Sequence, residues 1–192
     1  MFRLTLSTED HQRLAAATAA AGATTSARFE LAVVPVSDRY HLYPIAYGAG
    51  AALLAAGLLA LFEPALSLRA GFAAEAALFA IVSLALEWLP LRLLLVPRHV
   101  RRGHAREMAH RAFAAHILAA RERKPGMVLF VSLGERAIEL VTDDELDRRI
   151  GQAAWNRIID DFARAAKAGR RIEGLESAIA ACGAALAEHF PR

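Results

Sequence analysis

Two apolar runs dominate the pattern of the chain, and amphipathic segments lie on either side of them. Residues 43–62, YPIAYGAGAALLAAGLLALF, contain no charge. Residues 72–96, FAAEAALFAIVSLALEWLPLRLLLV, are nearly as apolar but carry Glu75, Glu87 and Arg92. Crossing a bilayer core takes about 20 predominantly apolar helical residues, so the runs predict a transmembrane hairpin with spans at about 43–62 and 72–96 and an outward tip around Pro64–Arg69. The competing reading is a pair of buried helices in a large soluble core.

The flanks alternate in the manner of a soluble α/β domain. Ser7 is placed to cap a first helix rich in alanine, with Glu9 and Asp10 in its first turn. Residues 28–36, RFELAVVPV, read as a strand, with Pro35 at its exit. After the hairpin, residues 98–123 read as a long basic helix with Ala109, Phe113, Ile117 and Ala120 on a narrow apolar face. Residues 127–133, MVLFVSL, are apolar at every alternate position on both faces, which predicts a strand covered on both sides. A turn at Gly134-Glu135-Arg136 leads to its partner, residues 137–142.

The acidic connector from Asp143 then enters a short helix. Trp155, Ile158, Ile159, Phe162 and Ala166 mark an amphipathic helix over 152–168, ended by Gly169. A last helix, 172–190, has Ile172, Leu175, Ile179, Cys182 and Leu186 on one stripe. Together these predict a three-layer α/β/α sandwich with a small mixed sheet. Residues 1–40 and 98–192 form the domain, and residues 41–97 form the transmembrane helical hairpin inserted into it.

Composition and charge sharpen this picture. The apolar fraction of 56% exceeds the roughly 45–50% usual for soluble proteins, and the excess sits mostly in the hairpin. The amino-terminal MFRLTLSTEDHQRL lacks the basic-then-apolar pattern of a signal peptide, so the first run is expected to anchor the chain. Residues 98–124 carry eight basic and two acidic side chains. By the positive-inside rule that cluster lies in the cytoplasm, and two spans then put both termini there, in a bacterial inner membrane. Arg98, Arg101, Arg102 and Arg106 are expected to meet anionic lipid headgroups. The cluster lacks interleaved aromatics and adjoins a span, which argues against nucleic acid as a partner.

At this point the chain resembles the TPM-domain family. Residues 24–44 (TTSARFELAVVPVSDRYHLYP) resemble that family's first strand and its exit, 125–143 (PGMVLFVSLGERAIELVTD) its central hairpin, and 155–186 its closing helix pair. The order of segments is similar to a bacterial subgroup with a membrane hairpin after the first strand. The resemblance implies an α/β/α sandwich, with acid phosphatase activity in some members and calcium binding or partner regulation in others. The glycine before the strand matches Gly126, and the turn residues match Glu135 and Arg136. Where the family often has a small residue and then glutamate, this chain has Ala27 and Arg28. Any cation site built on that acid is therefore altered.

Asp143, Asp144 and Glu145, followed by Asp147, are the candidate ligands for a divalent cation such as calcium, because hard cations take several carboxylate oxygens. Acids ahead of a helix are equally expected as partners of its dipole. For a phosphatase the candidates are Glu135, Arg136 and Asp143, with arginine holding the phosphate. His99, His104, His110 and His116 are spaced by five, six and six residues, unlike the i, i+4 pair of a zinc helix. Cys182 lies on an apolar stripe and reads as core. Glu87 is expected to pair with Arg92 at the membrane boundary. The glycines at 48, 50 and 57 permit close helix contact or a homo-oligomer.

Three functions remain open on these residues. They are a binding or regulatory module for a membrane protein partner, a phosphatase near the bilayer, and a small oligomeric transport component using Glu87.

Overall fold

The computed structural model describes residues 6–38, 40–62, 67–121 and 124–192. The chain divides into two units, one of residues 1–37 with 102–192 and one of residues 38–101.

The first unit is built around a mixed sheet in the order β1 (Arg28–Val34), β2 (Gly126–Ser132), β3 (Ala137–Thr142). β1 runs parallel to β2 with Arg28 opposite Gly126 and Val34 opposite Ser132. β3 returns antiparallel, with Ser132 opposite Ala137 and Met127 opposite Thr142. Every residue of β2 is buried, as its unbroken apolar run requires of a strand covered on both faces. Its side chains part by alternation. Met127, Leu129 and Val131 enter a core with Leu14, Trp155, Leu175, Ile179, Cys182 and Leu186. Val128 and Phe130 enter a second core with Ala105, Ala109, Phe113 and Ile117. The first core lies under α1 (Thr8–Ala23), α7 (Gln152–Lys167) and α8 (Arg171–His189), and the second under α5 (Arg98–Phe113). The result is the α/β/α sandwich that the alternation predicts.

Local chemistry fixes the ends of these elements. Ser7 and Asp10 form a reciprocal capping box at the start of α1, satisfying two otherwise orphaned N–H groups. Gly183 sits where an added Cβ would lie 2.7 Å from the Ala21 Cβ and 3.0 Å from its Cα. Its missing side chain lets α8 approach α1.

The basic helix departs from the expected 98–123. Its α-helical part ends at Phe113, a π turn spans Ala114–Leu118, and residues 122–123 lie outside the described ones. The buried positions Ala105, Ala109, Phe113 and Ile117 are spaced by four. At about 100° per residue an α-helix overshoots by about 40° at each such step. The wider π turn sets that drift back and returns Ile117 to the sheet. Ile117 then lies where a Cβ on Gly126 would be 2.5 Å from its Cγ2, so only glycine fits at the start of β2.

The second unit holds α2 (Leu42–Phe62), α3 (Leu68–Leu86) and α4 (Leu89–Leu95). The run 72–96 is therefore not one helix. α3 begins earlier, with Ser67 as its N-cap, and ends with Glu87 as its C-cap. Pro90 has no N–H to continue that ladder, but it is accommodated in the first turn of a new helix. Residues 64–66 of the expected tip lie outside the described residues, and Leu68 and Arg69 are already helical. α2 and α3 pack with Gly48 against Phe79 and Ser83, where a Cβ would meet the Ser83 Oγ at 2.2 Å. Gly50 and Gly57 face open space, so of the three glycines only Gly48 serves this contact.

α2 and α3 are long and apolar enough to cross a membrane, with mean hydropathy of 2.0 and 1.6 over their best windows. Those windows are 6% and 0% buried. Leu53, Leu54, Leu61, Phe62, Phe72 and Leu84 are each more than 70% exposed.

Candidate functional site

Because β1 and β2 are parallel, their carboxyl ends, Val34 and Ser132, share one edge of the sheet. Ligands of open α/β sheets bind beyond such ends. The hairpin turn is built there. Leu133 N–H donates to the Val34 carbonyl at 3.0 Å and Gly134 N–H to that of Pro35 at 2.8 Å, which carries the strand pairing into the turn.

Glu135 folds back into this edge and is buried. Its Oε1 accepts from the Ser37 N–H at 2.9 Å and from the Ser37 hydroxyl at 2.8 Å, and its Oε2 accepts from the Ser132 hydroxyl. Burial pushes the carboxyl up, but the Ser132 hydroxyl and then the Ser37 donors outweigh it and hold the group below its ordinary value. A carboxylate held as its anion is a weak base, and it draws both serine hydroxyls toward itself. The arrangement ties the β1 exit to the β2–β3 turn.

Arg136 follows at φ 53, in the left-handed region, and is exposed. A non-glycine residue held there costs of order 1–2 kcal/mol. Its planar guanidinium fork is of the kind that suits a carboxylate or phosphate.

Asp143 lies at the opposite end of β3. That strand's six residues put about 20 Å between it and the turn. The trio Glu135, Arg136 and Asp143 is therefore not one site. Two of its members share the strand-end edge, and the third belongs to the far end of the sheet. There the Asp143 Oδ1 accepts from the N–H groups of Glu145 at 3.1 Å and Leu146 at 2.9 Å, capping α6 (Asp144–Ile150). Its Oδ2 accepts from the Gly126 N–H at 2.8 Å. Both oxygens thus hold backbone in place.

Glu145 pairs with Arg149 at 3.0 Å, and Asp147 accepts from the Thr142 hydroxyl at 2.5 Å, while Asp144 is exposed. Among the described residues no three histidine, cysteine or acidic side chains gather to hold a metal ion. Arg28, at the position of the altered acid, donates to the His116 carbonyl at 3.2 Å.

Cys182 is fully buried, and burial raises its thiol to about 12, which removes the thiolate a reactive cysteine needs. In the second unit Glu87 pairs with Arg92 at 2.8 Å and lies 3.4 Å from the His41 Nδ1. Arg92 also donates to the Glu87 carbonyl at 2.6 Å. This is the pairing expected from the five-residue spacing.

Sequence reasoning did not find the Ser37–Glu135–Ser132 tie. Its members come from two segments 98 residues apart, the β1 exit and the β2–β3 hairpin, and the local signal was an acid in a hairpin turn. Asp143 was legible as a helix cap from the acids behind it, but its second bond to Gly126 depends on strand register.

The family model for the TPM domain matches residues 90–185, from α4 to near the end of α8. Among solved structures, the fold is similar to that of the BA42 protein from the psychrophilic bacterium Bizionia argentinensis, determined by NMR. The TM-score is 0.56 and the identity 13%, over 97% of this chain and 84% of that one. At that identity the likeness speaks for the fold. No curated protein sequence matches the chain. The strand order, the doubly covered β2 and the matched span lead to one conclusion: the chain belongs to the TPM domain family.

Proposed function

We propose that the chain is a membrane-anchored TPM domain acting as a binding or regulatory module on the cytoplasmic face of the inner membrane. The observation that carries this reading is the exposure of α2 and α3, two apolar helices of 21 and 19 residues whose best windows are 6% and 0% buried. Water does not tolerate that much contiguous apolar surface on a monomer, and a bilayer is the solvent that does. The arginine-rich stretch after α4 favours the cytoplasmic side by the positive-inside rule. The strand-end edge, with Glu135 committed to structure and Arg136 exposed, suits an acidic partner segment better than a reaction. The direct check is extraction of the expressed chain from membranes. Alkaline carbonate should leave it in the pellet and detergent should release it, whereas release by carbonate alone would overturn the anchoring.

A phosphatase is the second reading, favoured by the position of Arg136 in the turn beyond the carboxyl ends of the parallel strands. Turnover of p-nitrophenyl phosphate by the purified protein, lost on Arg136→Ala, would establish it. Absence of turnover, or turnover indifferent to that substitution, removes this edge as a phosphatase site.

A further inference from the structure

The sheet runs β1-β2-β3, so β3 is an edge strand. The Asp143 N–H donates to the Gly126 carbonyl at 3.1 Å, toward β2. Backbone groups alternate sides along a strand, so those of Val141, Glu139 and Ala137 also face β2. Those of Ile138, Leu140 and Thr142 face outward. Among the described residues no hydrogen bond from another segment reaches these outward N–H and C=O groups. An open row of this kind is a template for a further strand.

The two faces of that edge differ. Ile138 and Leu140 are half-buried and pack against the core that holds Leu14, Trp155 and Ile179. Glu139 stands opposite Phe130, on the face that α5 covers, and is also half-buried. At about 100° per residue, Arg106 follows the buried Ala105 by that angle and His110 so follows Ala109, while Arg102 lies about 60° from Ala105 on the same side. All three are exposed. This flank of α5 looks toward β3. Desolvation raises the Glu139 carboxyl, and Arg106, His110 and Arg102 pull against it. Among the described residues neither Arg102 nor Arg106 forms an ion pair, whereas Arg13, Arg111, Arg149 and Arg164 each do. Two guanidiniums thus act on one carboxylate, and the edge is short of negative charge.

We infer that β3 takes a fourth strand from an acidic partner segment, with acids beside Arg102 and Arg106 and apolar residues beside Ile138 and Leu140. This rests on the reading of the chain as a binding module, but not on its anchoring. The alternation of an extended strand sends successive side chains to opposite faces, so the segment alternates acidic and apolar residues. A second copy of β3 would bring two arginines with its one glutamate and enlarge the excess of positive charge. The other edge strand, β1, presents Glu30 opposite Val128 on the α5 face, which repels such a segment.

The test uses the full chain in neutral detergent micelles and an end-blocked peptide of alternating glutamate and valine, with a lysine–valine peptide as control. Amide exchange at Ile138 and Leu140 should slow about tenfold with the glutamate peptide at about ten times its Kd, and not with the lysine peptide. N-methylating the glutamate peptide at its valines alone or at its glutamates alone should abolish binding in one series only, since a strand bonds to an edge through alternate residues. Arg102→Gln combined with Arg106→Gln should weaken binding by about fivefold, and lysine at both positions should retain it. Glu139→Gln should tighten binding, because it frees both guanidiniums and removes a like charge beside the added strand. Unchanged exchange of β2 in each variant shows that the domain still folds. Equal binding of the two peptides, indifference to N-methylation, or glutamine variants that bind unchanged would overturn the proposal. Slowing at Ile138 and Leu140 with protein concentration alone would assign the edge to a second copy, and overturns it too. So does slowing confined to residues 102–113 on adding phosphatidylglycerol, with the peptide inert, which would assign the arginines to lipid. Failure here leaves the carbonate extraction untouched, whereas turnover lost on Arg136→Ala would strike the binding reading itself.

Discussion

Two glutamates, three and seven residues after Ser132, behave oppositely. Glu135 is buried among donors and its carboxyl lies below the ordinary 4.5. Glu139 is half-buried, and desolvation raises it against the opposing pull of Arg106, His110 and Arg102. For Glu135 the unfolded chain holds the proton more tightly. Its contribution is therefore full above about pH 4.5 and is lost as pH falls through the lower native value. For Glu139 the native chain holds the proton more tightly, so its ionisation weakens the fold as pH rises through the raised value. Glu135→Gln should destabilise the domain by about 1–3 kcal/mol at neutral pH, since it leaves buried hydroxyl and amide donors ill-matched. That deficit should shrink in acid. Glu139→Gln should raise the midpoint of unfolding slightly at neutral pH, and the gain should fade in acid. With Trp88 replaced by phenylalanine, fluorescence of the fully buried Trp155 reports both. A pH-independent deficit in the first variant, or destabilisation at neutral pH in the second, would contradict these assignments.

At the scale of elements, the π turn and Gly126 act together. Gly126→Ala puts a methyl 2.5 Å from the Ile117 Cγ2. It should cost about 1–3 kcal/mol, as overpacking does, and Ile117→Ala should recover much of that loss in a double-mutant cycle. Additive losses in denaturant unfolding would mean that the two residues do not press on each other.

The regular elements were legible because their periods are strong. The 3.6-residue stripe of α7 ends at Lys167 before Gly169, and β3 occupies the expected 137–142. Where a local break was decisive, periodicity was not enough. Leu89–Leu95 carries the same apolar signal as α3, yet Pro90 makes it a separate helix. The end of α5 was hidden because a π turn reads like ordinary helix in a sequence. The candidate site suffered most, since Glu135 and Asp143 lie close in sequence and at opposite ends of a strand in space.

At the scale of the molecule, the hairpin enters between β1 and α5 of one sandwich and not at its edge in sequence. A membrane crossing there forces both flanks to a common side, because each strand neighbour, β1 and β2, must meet in one sheet. The account therefore makes a topological claim that a single labelling experiment addresses. Cys182 is buried and its thiol is raised to about 12, so an introduced cysteine is the reactive one in the chain. Leu68→Cys, at the start of α3, and Ala153→Cys, on the exposed side of α7, are to be treated in intact cells with a membrane-impermeant maleimide. The account predicts labelling of Leu68→Cys from outside and of Ala153→Cys only after permeabilisation. Labelling of Ala153→Cys in intact cells, or of neither variant until the cells are opened, would contradict it.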